Sequence, residues 1–326
     1  MKILFWGTPD FAVPSLRALV GEGFDIVGVV SQPDRPAGRG RHLTPSPVKQ
    51  VAIEEGLTVL TPDRPRGDDF LSLIGDLSPD VSVVVAYGHI LKREVLDVPR
   101  LGSINLHASL LPKLRGAAPI NWAIARGHEE TGVTVMRMVE AMDAGPVIHQ
   151  VAEPILADET AGELTIRLSE VGAAALVEAL AFLDAGLAEE EEQDDGEATY
   201  APKLDRDTAR IDWNRPAVEI GLHVRAMDPV PGPWTKLDGA AVKLFRPSVV
   251  EGDFNVDEGS AGNGRDPLAE PVEPGTVVAA DPSEGVLVAA PGGAVLFAEV
   301  QPPGKRRMRA ADWINGRGVA VGQAFE

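Results

Sequence analysis

The chain has 326 residues, 44% of them hydrophobic and 24% charged, which is typical of a soluble globular protein and long enough for two domains. It contains no cysteine, which excludes disulfides, cysteine-ligated zinc, iron–sulfur clusters and thiol nucleophiles. The formal net charge of -19 argues on its face against a nucleic-acid partner, because affinity for phosphate comes from lysine and arginine.

This charge is unevenly distributed. Residues 184–197 hold eight acidic residues and no basic one, and residues 251–273 hold seven acidic residues and one basic residue, so that these two segments supply -14 of the -19. Basic residues cluster in two other places, 35–49 and 305–309. Taken alone, each basic cluster is explained equally well by a solvated surface and by a binding site.

The first half of the chain alternates short apolar runs with helical patterns. Several of the runs are apolar without alternation, as expected for a parallel sheet that is covered by helices on both faces. This order predicts an α/β fold of the Rossmann-like kind, with an open, mostly parallel twisted sheet. We predict strands at 2–6, 25–30, 81–86, 103–107 and 133–138, and helices at 15–20, 46–55 and 118–126.

The second half changes character after a long amphipathic helix predicted at 161–183, where Thr160 and Glu163 fit a capping box. We expect a first domain at 1–186, an acidic linker at 187–205 and a second domain at 206–326. Short β-rich runs among proline and glycine predict that the second domain is a small, OB-like β-barrel. Within it, residues 251–273 have the composition of a disordered surface insertion.

No apolar run reaches 18 residues, and the N-terminal run breaks at Gly7 and Pro9 before a signal-peptide core could form. We therefore expect a cytoplasmic protein. The first strand leads into a single glycine and not into the G-x-G-x-x-G fingerprint, which argues against a dinucleotide cofactor. The six histidines show no metal-ligand spacing, and no metal is expected.

Two polar residues, Asn105 and His107, lie at the carboxyl end of an apolar strand, on the same side of it. Open α/β sheets bind ligands at that edge. Asp143 follows the next predicted strand, and consecutive strands are often neighbours, so we expect its loop to reach the same crevice. An amide, an imidazole and a carboxylate suit acyl-type transfer between two bound substrates, although each of the three alone is more often bonded to local backbone.

Segments along nearly the whole chain resemble the methionyl-tRNA formyltransferase family, in that family's order. The N-x-H…D set with S-L-L-P is shared by all enzymes that use 10-formyltetrahydrofolate, whereas the basic loop and the entry into the second domain are similar to the tRNA-acting branch. The resembling segments are GTPDFAVPSL, QPDRPAGRGRHLTPSPVK, VVVAYGHIL, GSINLHASLLPKLRGAAPINWAI, ETGVTVMRM, MDAGPV and KLDRDTARIDW.

The resemblance implies roles for individual residues. Asn105, His107 and Asp143 match the catalytic triad of the family. The cofactor-binding positions that it implies are Ser109, Leu110, Leu111 and Pro112, with Ala86, Tyr87, Gly88, His89, Ile90 and Leu91 along the pterin pocket. The tRNA-binding positions that it implies are Arg35, Arg39, Arg41, Lys305, Arg306 and Arg307. Met142 and Ala144, beside Asp143, differ from the residues that the family commonly has there.

The implied activity is transfer of the formyl group of 10-formyltetrahydrofolate to the α-amine of methionyl initiator tRNA, through a tetrahedral oxyanion intermediate and without a metal. We expect a monomer that contacts no membrane, and we expect the acidic insertion to project away from the tRNA. Three alternatives remain: formylation of an amino sugar on a nucleotide, hydrolysis of the same folate, and a noncatalytic RNA-binding module.

Overall fold

The computed structural model describes residues 1–37, 42–252 and 272–326, and these residues form two compact units. The first unit comprises residues 1–120, 130–154 and 164–202, and the second comprises 121–129, 155–163 and 203–326. The strands are β1 (Lys2–Gly7), β2 (Asp25–Val30), β3 (Arg35–Ala37), β4 (His42–Thr44), β5 (Val59–Leu60), β6 (Val81–Val85), β7 (Ser103–His107), β8 (Arg115–Gly116), β9 (Glu130–Arg137), β10 (Val147–Pro154), β11 (Tyr200–Ala201), β12 (Trp234–Leu237), β13 (Ala240–Glu251), β14 (Val277–Asp281), β15 (Gly285–Ala290), β16 (Gly293–Gln301) and β17 (Met308–Arg309). The α-helices are α1 (Val13–Gly21), α2 (Pro47–Glu54), α3 (Asp68–Asp76), α4 (Arg93–Leu96), α5 (Pro119–Ala125), α6 (Ala161–Ala185), α7 (Ala217–Met227) and α8 (Ala310–Asn315).

A seven-stranded sheet forms the centre of the first unit, in the order β10-β9-β7-β6-β1-β2-β5. The five strands from β7 to β5 are parallel, which confirms the predicted open, mostly parallel sheet. Residues 3–6 of β1 are fully buried, as expected for a central strand with both faces covered.

On the other side of β7, the sheet is antiparallel. β9 is antiparallel to β7, and β10 is antiparallel to β9. β9 begins three residues before the predicted start, and β10 was not predicted. β10 alternates exposed and partly buried residues, as an edge strand does, and it lacks the continuous apolar run that identified the other strands.

Helix α6 was predicted correctly at its start. The amide N–H of Thr160 donates to Glu163 Oε2 (2.9 Å), and the N–H of Glu163 donates to Thr160 Oγ1 (3.3 Å), so the capping box is present. The guanidinium of Arg246 also bonds the Glu163 carboxylate, and this bond, with those from Thr160, lowers the pKa of Glu163 to about 2.

The acidic segment that follows α6 belongs to the first unit as far as Pro202. Its strand β11 pairs in parallel with β8, and Glu191 exchanges two backbone hydrogen bonds with Val147 (2.8 and 2.9 Å). Residues 191–201 are thus bonded into the first unit along much of their length. The domain boundaries that composition suggests stay a prediction.

The second unit is built on an antiparallel sheet in the order β12-β13-β16-β15-β14, with β17 beside β16. The C-terminal residues bridge its two edge strands, because Phe325 pairs with Leu237 and Ala324 pairs with Thr276. This closure confirms the predicted small barrel. Trp213 lies in its core, stacked on Phe325 with ring centroids 5.6 Å apart.

The predicted insertion at 251–273 lies outside the described residues except at its ends, so its character stays a prediction. Within the three described ranges, no helix combines the length and the apolar composition that crossing a membrane requires.

Candidate active site

Strand β7 carries Asn105 and His107. It is hydrogen bonded on both sides, to β6 and to β9, and these bonds hold its backbone in place. In the β9 ladder, Asn105 lies opposite Met136 and His107 lies opposite Thr134. The side chain of Asn105 is half-buried and has no hydrogen-bond partner among residues 1–37, 42–252 and 272–326. Its amide is therefore available to a ligand.

His107 is 6% exposed, and its ring has an acceptor near each nitrogen. Nε2 lies 3.1 Å from the carbonyl oxygen of Leu114, and Nδ1 lies 3.8 Å from Asp143 Oδ2. The Nε2 contact has the length of a hydrogen bond, whereas the 3.8 Å between Nδ1 and Oδ2 is longer than one and leaves Nδ1 able to meet another acceptor. The backbone at Leu114 therefore sets the orientation in which the imidazole meets the carboxylate.

Asp143 lies in the loop between β9 and β10 with φ +52°, in the left-handed region that aspartate tolerates better than most residues. Its Oδ2 accepts a 2.8 Å hydrogen bond from the N–H of Gly116. Gly145, two residues on, lies so close to the end of β9 that a Cβ would be 2.0 Å from the carbonyl oxygen of Arg137. A glycine is therefore required for this loop to approach β9.

The loop reaches His107 by a route that the sequence did not indicate. We expected it to reach the crevice because consecutive strands are often neighbours, and β9 does lie beside β7. Because β9 is antiparallel to β7, its last residue, Arg137, lies opposite Ile104 at the start of β7. The loop instead folds back toward His107, and Asp143 arrives beside the imidazole from there.

Several residues around this site were not singled out from the sequence. Thr134 accepts from the N–H of Leu111 (3.1 Å) and donates to the carbonyl of Ser109 (2.6 Å). Gln193 donates to the carbonyls of Asp143 (3.0 Å) and Gly145 (2.7 Å). The only sequence signals are a hydroxyl in an apolar strand and a single amide within the acidic run EEEEQDD.

The S-L-L-P segment runs directly on from β7. Ser109 Oγ donates to the carbonyl of Lys113 (2.7 Å), which closes the turn, and Gln150 Nε2 donates to the carbonyl of Leu111 (2.9 Å). Leu111 is 5% exposed, whereas Leu110 is partly accessible. The hydroxyl of Ser109 and the carbonyl of Leu111 are thus used within the protein.

Segment 86–91, which we expect along the pterin pocket, combines two buried side chains, a backbone carbonyl that accepts two hydrogen bonds and one exposed side chain. Tyr87 and Leu91 are buried in the core of the first unit, and burial raises the pKa of Tyr87 to about 12. The carbonyl of Tyr87 accepts bonds from Thr8 (3.0 Å) and Gln32 (2.8 Å). Ile90 is 81% exposed, an unusual position for a large apolar side chain, and it is available for contact with a ligand.

The predicted tRNA-binding residues differ in their surroundings. Arg35 is exposed at the start of the β3–β4 hairpin and bonds Gln32, whereas Arg39 and Arg41 lie outside the described residues. Lys305 and Arg306 are exposed. The guanidinium of Arg307 is held by Asp228 (2.7 and 3.0 Å) and Glu299, and it lies 3.9 Å from the ring centroid of Phe245.

The described residues contain no group of three or more histidine, aspartate or glutamate side chains arranged to hold a metal ion.

Comparison with known proteins decides the family. The model of the formyl transferase family matches residues 1–180, and that of the formyl transferase C-terminal domain matches residues 203–318. The chain belongs to the methionyl-tRNA formyltransferase family. The methionyl-tRNA formyltransferase of Symbiobacterium thermophilum is 49% identical over 326 residues, covering all of this chain and 95% of that protein. That of Pseudomonas fluorescens (strain Pf0-1) is 45% identical over 332 residues, covering 100% and 98%.

These matches confirm the resemblance seen in the sequence. Among solved structures, HypX from Aquifex aeolicus in complex with tetrahydrofolic acid has a TM-score of 0.63 at 20% identity, covering 98% of this chain and 48% of that one. At this identity the likeness concerns the fold alone.

Proposed function

We propose that the chain transfers the formyl group of 10-formyltetrahydrofolate to the α-amine of methionyl initiator tRNA, by direct attack of the amine on the formyl carbon. Identities of 49% and 45% to two methionyl-tRNA formyltransferases, each over the whole of this chain, support the reaction. The observation that carries the proposed chemistry is the meeting of the Asn105 strand, the His107 ring and the Asp143 carboxylate, with 3.8 Å between Nδ1 and Oδ2.

Asn105 and His107 would stabilise the negative charge that develops on the formyl oxygen. The Asn105 amide has no protein partner among the described residues, so it can donate to that oxygen without losing an existing bond. A preorganised donor of this kind is worth about 10² to 10³ in rate. The strand backbone, which is hydrogen bonded on both sides, fixes the point from which the Asn105 side chain extends.

Asp143 would orient His107 and relay a proton from the attacking amine to the leaving nitrogen of the folate. Its carboxylate is oriented by the N–H of Gly116, and the ring is oriented by the carbonyl of Leu114. A strong base is not needed to activate the amine, because esterification of methionine removes the neighbouring carboxylate charge and makes the amine more acidic.

The folate would lie along the S-L-L-P segment and residues 86–91. Leu110 and Ile90 offer accessible apolar surface, and both segments adjoin strand ends of the sheet. The fold is compatible with such a ligand, since HypX, which shares it, has been crystallised with tetrahydrofolic acid. No metal takes part in the proposed reaction.

The tRNA would contact the basic loop around Arg35, Arg39 and Arg41, together with Lys305 and Arg306. Arginine and lysine side chains supply phosphate contacts that position a nucleic acid. A phosphate could reach Arg307, the remaining predicted contact, only in competition with the two carboxylates that bind it.

The test is an assay of the purified protein with 10-formyltetrahydrofolate and methionyl initiator tRNA, with an amino-sugar nucleotide as the alternative acceptor. We expect formyl-methionyl-tRNA from the wild type. The variants Asn105→Ala, His107→Ala and Asp143→Ala should each remain folded and lose transfer by about 10² or more. Near-normal turnover in all three would rule out the proposed roles, and preference for the sugar would replace the proposed substrate.

A further inference from the structure

The acidic segment after helix α6 returns to the proposed active site. We call residues 191–201 the strap. Their composition predicts a solvated linker, yet the strap is hydrogen bonded to both chain segments that orient His107 and Asp143.

One end of the strap pairs with the turn that follows S-L-L-P. The N–H of Arg115 donates to the carbonyl of Thr199 (2.8 Å), and the N–H of Leu114 donates to Thr199 Oγ1 (2.9 Å). Leu114 supplies the carbonyl next to His107 Nε2, and Gly116 supplies the N–H that binds Asp143. The strap therefore fixes the backbone groups that touch both catalytic side chains.

The middle of the strap contacts the loop of Asp143 itself, through one side chain. Gln193 Nε2 donates to the carbonyl oxygens of Asp143 (3.0 Å) and Gly145 (2.7 Å). Gln193 Oε1 accepts two bonds from the buried guanidinium of Arg115, at 3.1 and 2.8 Å. The remaining nitrogen of Arg115 bonds Asp195 (2.8 Å), also in the strap.

These four bonds match the chemistry of a primary amide. Its nitrogen has two hydrogens, which are used on two carbonyls, and its oxygen has two acceptor sites, which are used by one guanidinium. A glutamate in this place could still accept from Arg115 but would set a negative charge against two carbonyl oxygens. Among the side chains of the run EEEEQDD, only the glutamine can therefore hold the Asp143 loop.

We propose that Gln193 is a positioning residue for Asp143, which acts by fixing the backbone on both sides of the loop tip so that the carboxylate meets His107. This inference rests on the proposed function. Asp143 has a left-handed backbone conformation, with φ +52°, which costs some free energy in any residue other than glycine. A displacement of about 1 Å at a reacting group can cost about 100-fold in rate.

The experiment compares Gln193→Glu and Gln193→Ala with the neighbouring control Glu192→Gln in the full chain. Glu192 is exposed, and its change alters charge without touching the loop. We expect kcat to fall about 100-fold in Gln193→Glu. The KM values for both substrates should stay within about twofold of wild type, because the binding surfaces are unchanged. Gln193→Ala, which adds no charge, should show the same split between kcat and KM, and Glu192→Gln should behave as wild type.

The midpoint of thermal unfolding separates positioning from folding. Gln193→Glu keeps the bond to Arg115, so its midpoint should remain close to that of wild type while its kcat falls. Turnover of both Gln193 variants within about threefold of wild type would overturn the inference, as would a loss carried entirely by KM. A wild-type protein without formyl transfer would instead contradict the proposed function, and that result needs no variant.

Discussion

Arg306 and Arg307 are adjacent in the chain, yet their side chains have different surroundings. Arg306 is exposed, whereas Arg307 bonds Asp228 and Glu299 and covers the ring of Phe245. Asp228 is 3% exposed, so its carboxylate depends on Arg307 for compensation. A basic side chain in a sequence cluster can thus serve the fold and not the ligand.

We expect Arg307→Ala to lower the free energy of unfolding by about 1–3 kcal/mol, because it leaves a buried carboxylate without its donor. Urea denaturation followed by circular dichroism measures this. The control is Arg306→Ala, which removes the same charge from an exposed position and should leave stability unchanged. If the two variants were equally stable, the ion pairs of Arg307 would contribute nothing to the free energy of unfolding.

At the scale of elements, helix α6 packs closely on the strand that carries Asn105 and His107. A Cβ on Gly172 of this helix would lie 2.8 Å from a side-chain carbon of Leu106, which is 3% exposed. Leu106 lies between the two proposed catalytic residues, and its backbone belongs to β7. The small residue therefore sets the distance between helix and strand.

We expect Gly172→Val to lower the free energy of unfolding by about 1–3 kcal/mol, since the added methyl groups overpack a buried contact. Activity should fall with it, because Leu106 is buried and its displacement would strain β7 between the two proposed catalytic residues. The matched control is Gly75→Ala in helix α3, where a Cβ would meet nothing within 4 Å. That change should raise stability by about 0.5–1 kcal/mol. Denaturation and turnover of both variants are measured. An unchanged free energy of unfolding in Gly172→Val would contradict tight packing at Gly172.

The same elements show what can be predicted from the sequence and what cannot. Buried strands such as β1 and β7 were found because both of their faces are apolar, and the start of α6 was found because its cap is local chemistry. Strand direction depends on the path of the chain between strands, and no residue pattern within β9 indicates that it runs antiparallel to β7. The pairing of the strap with β8 was missed for the same reason, because it is made by the backbone of Tyr200 and Ala201, which the acidic composition of the segment does not indicate.

The site shows the same division. Asn105 and His107 were found from their spacing on a strand, and the family resemblance supplied a role for Asp143. The sequence held no signal for the carbonyl of Leu114, and for Gln193 only its place as the one amide in an acidic run, since the groups that these two contact are brought near only in the folded chain. Tyr87 and Leu91 were predicted to lie along the pterin pocket, and their side chains lie in the core.

At the scale of the whole molecule, the charge of -19 must be compatible with a polyanionic substrate. Much of that charge is confined to residues 184–197 and 251–273, and Arg115 pairs with one of the strap's carboxylates. The basic loop at 35–49 contains no acidic residue. Local charge, and not net charge, therefore governs the proposed contact with tRNA, because solution screens charges more than about 10 Å apart.

The salt dependence of KM for tRNA tests this local contact. We expect the double variant Arg39→Ala/Arg41→Ala to raise KM at low salt and to flatten its rise with salt. Each phosphate contact that is lost should reduce the slope of log KM against log salt by about 0.7 to 0.9. The control is Arg64→Ala/Arg66→Ala, which removes two exposed arginines and so changes the net charge equally. If net charge governed binding, both double variants would shift KM alike; if the loop binds phosphate, only the first will, and kcat at saturating tRNA will stay near the wild-type value because the triad is intact.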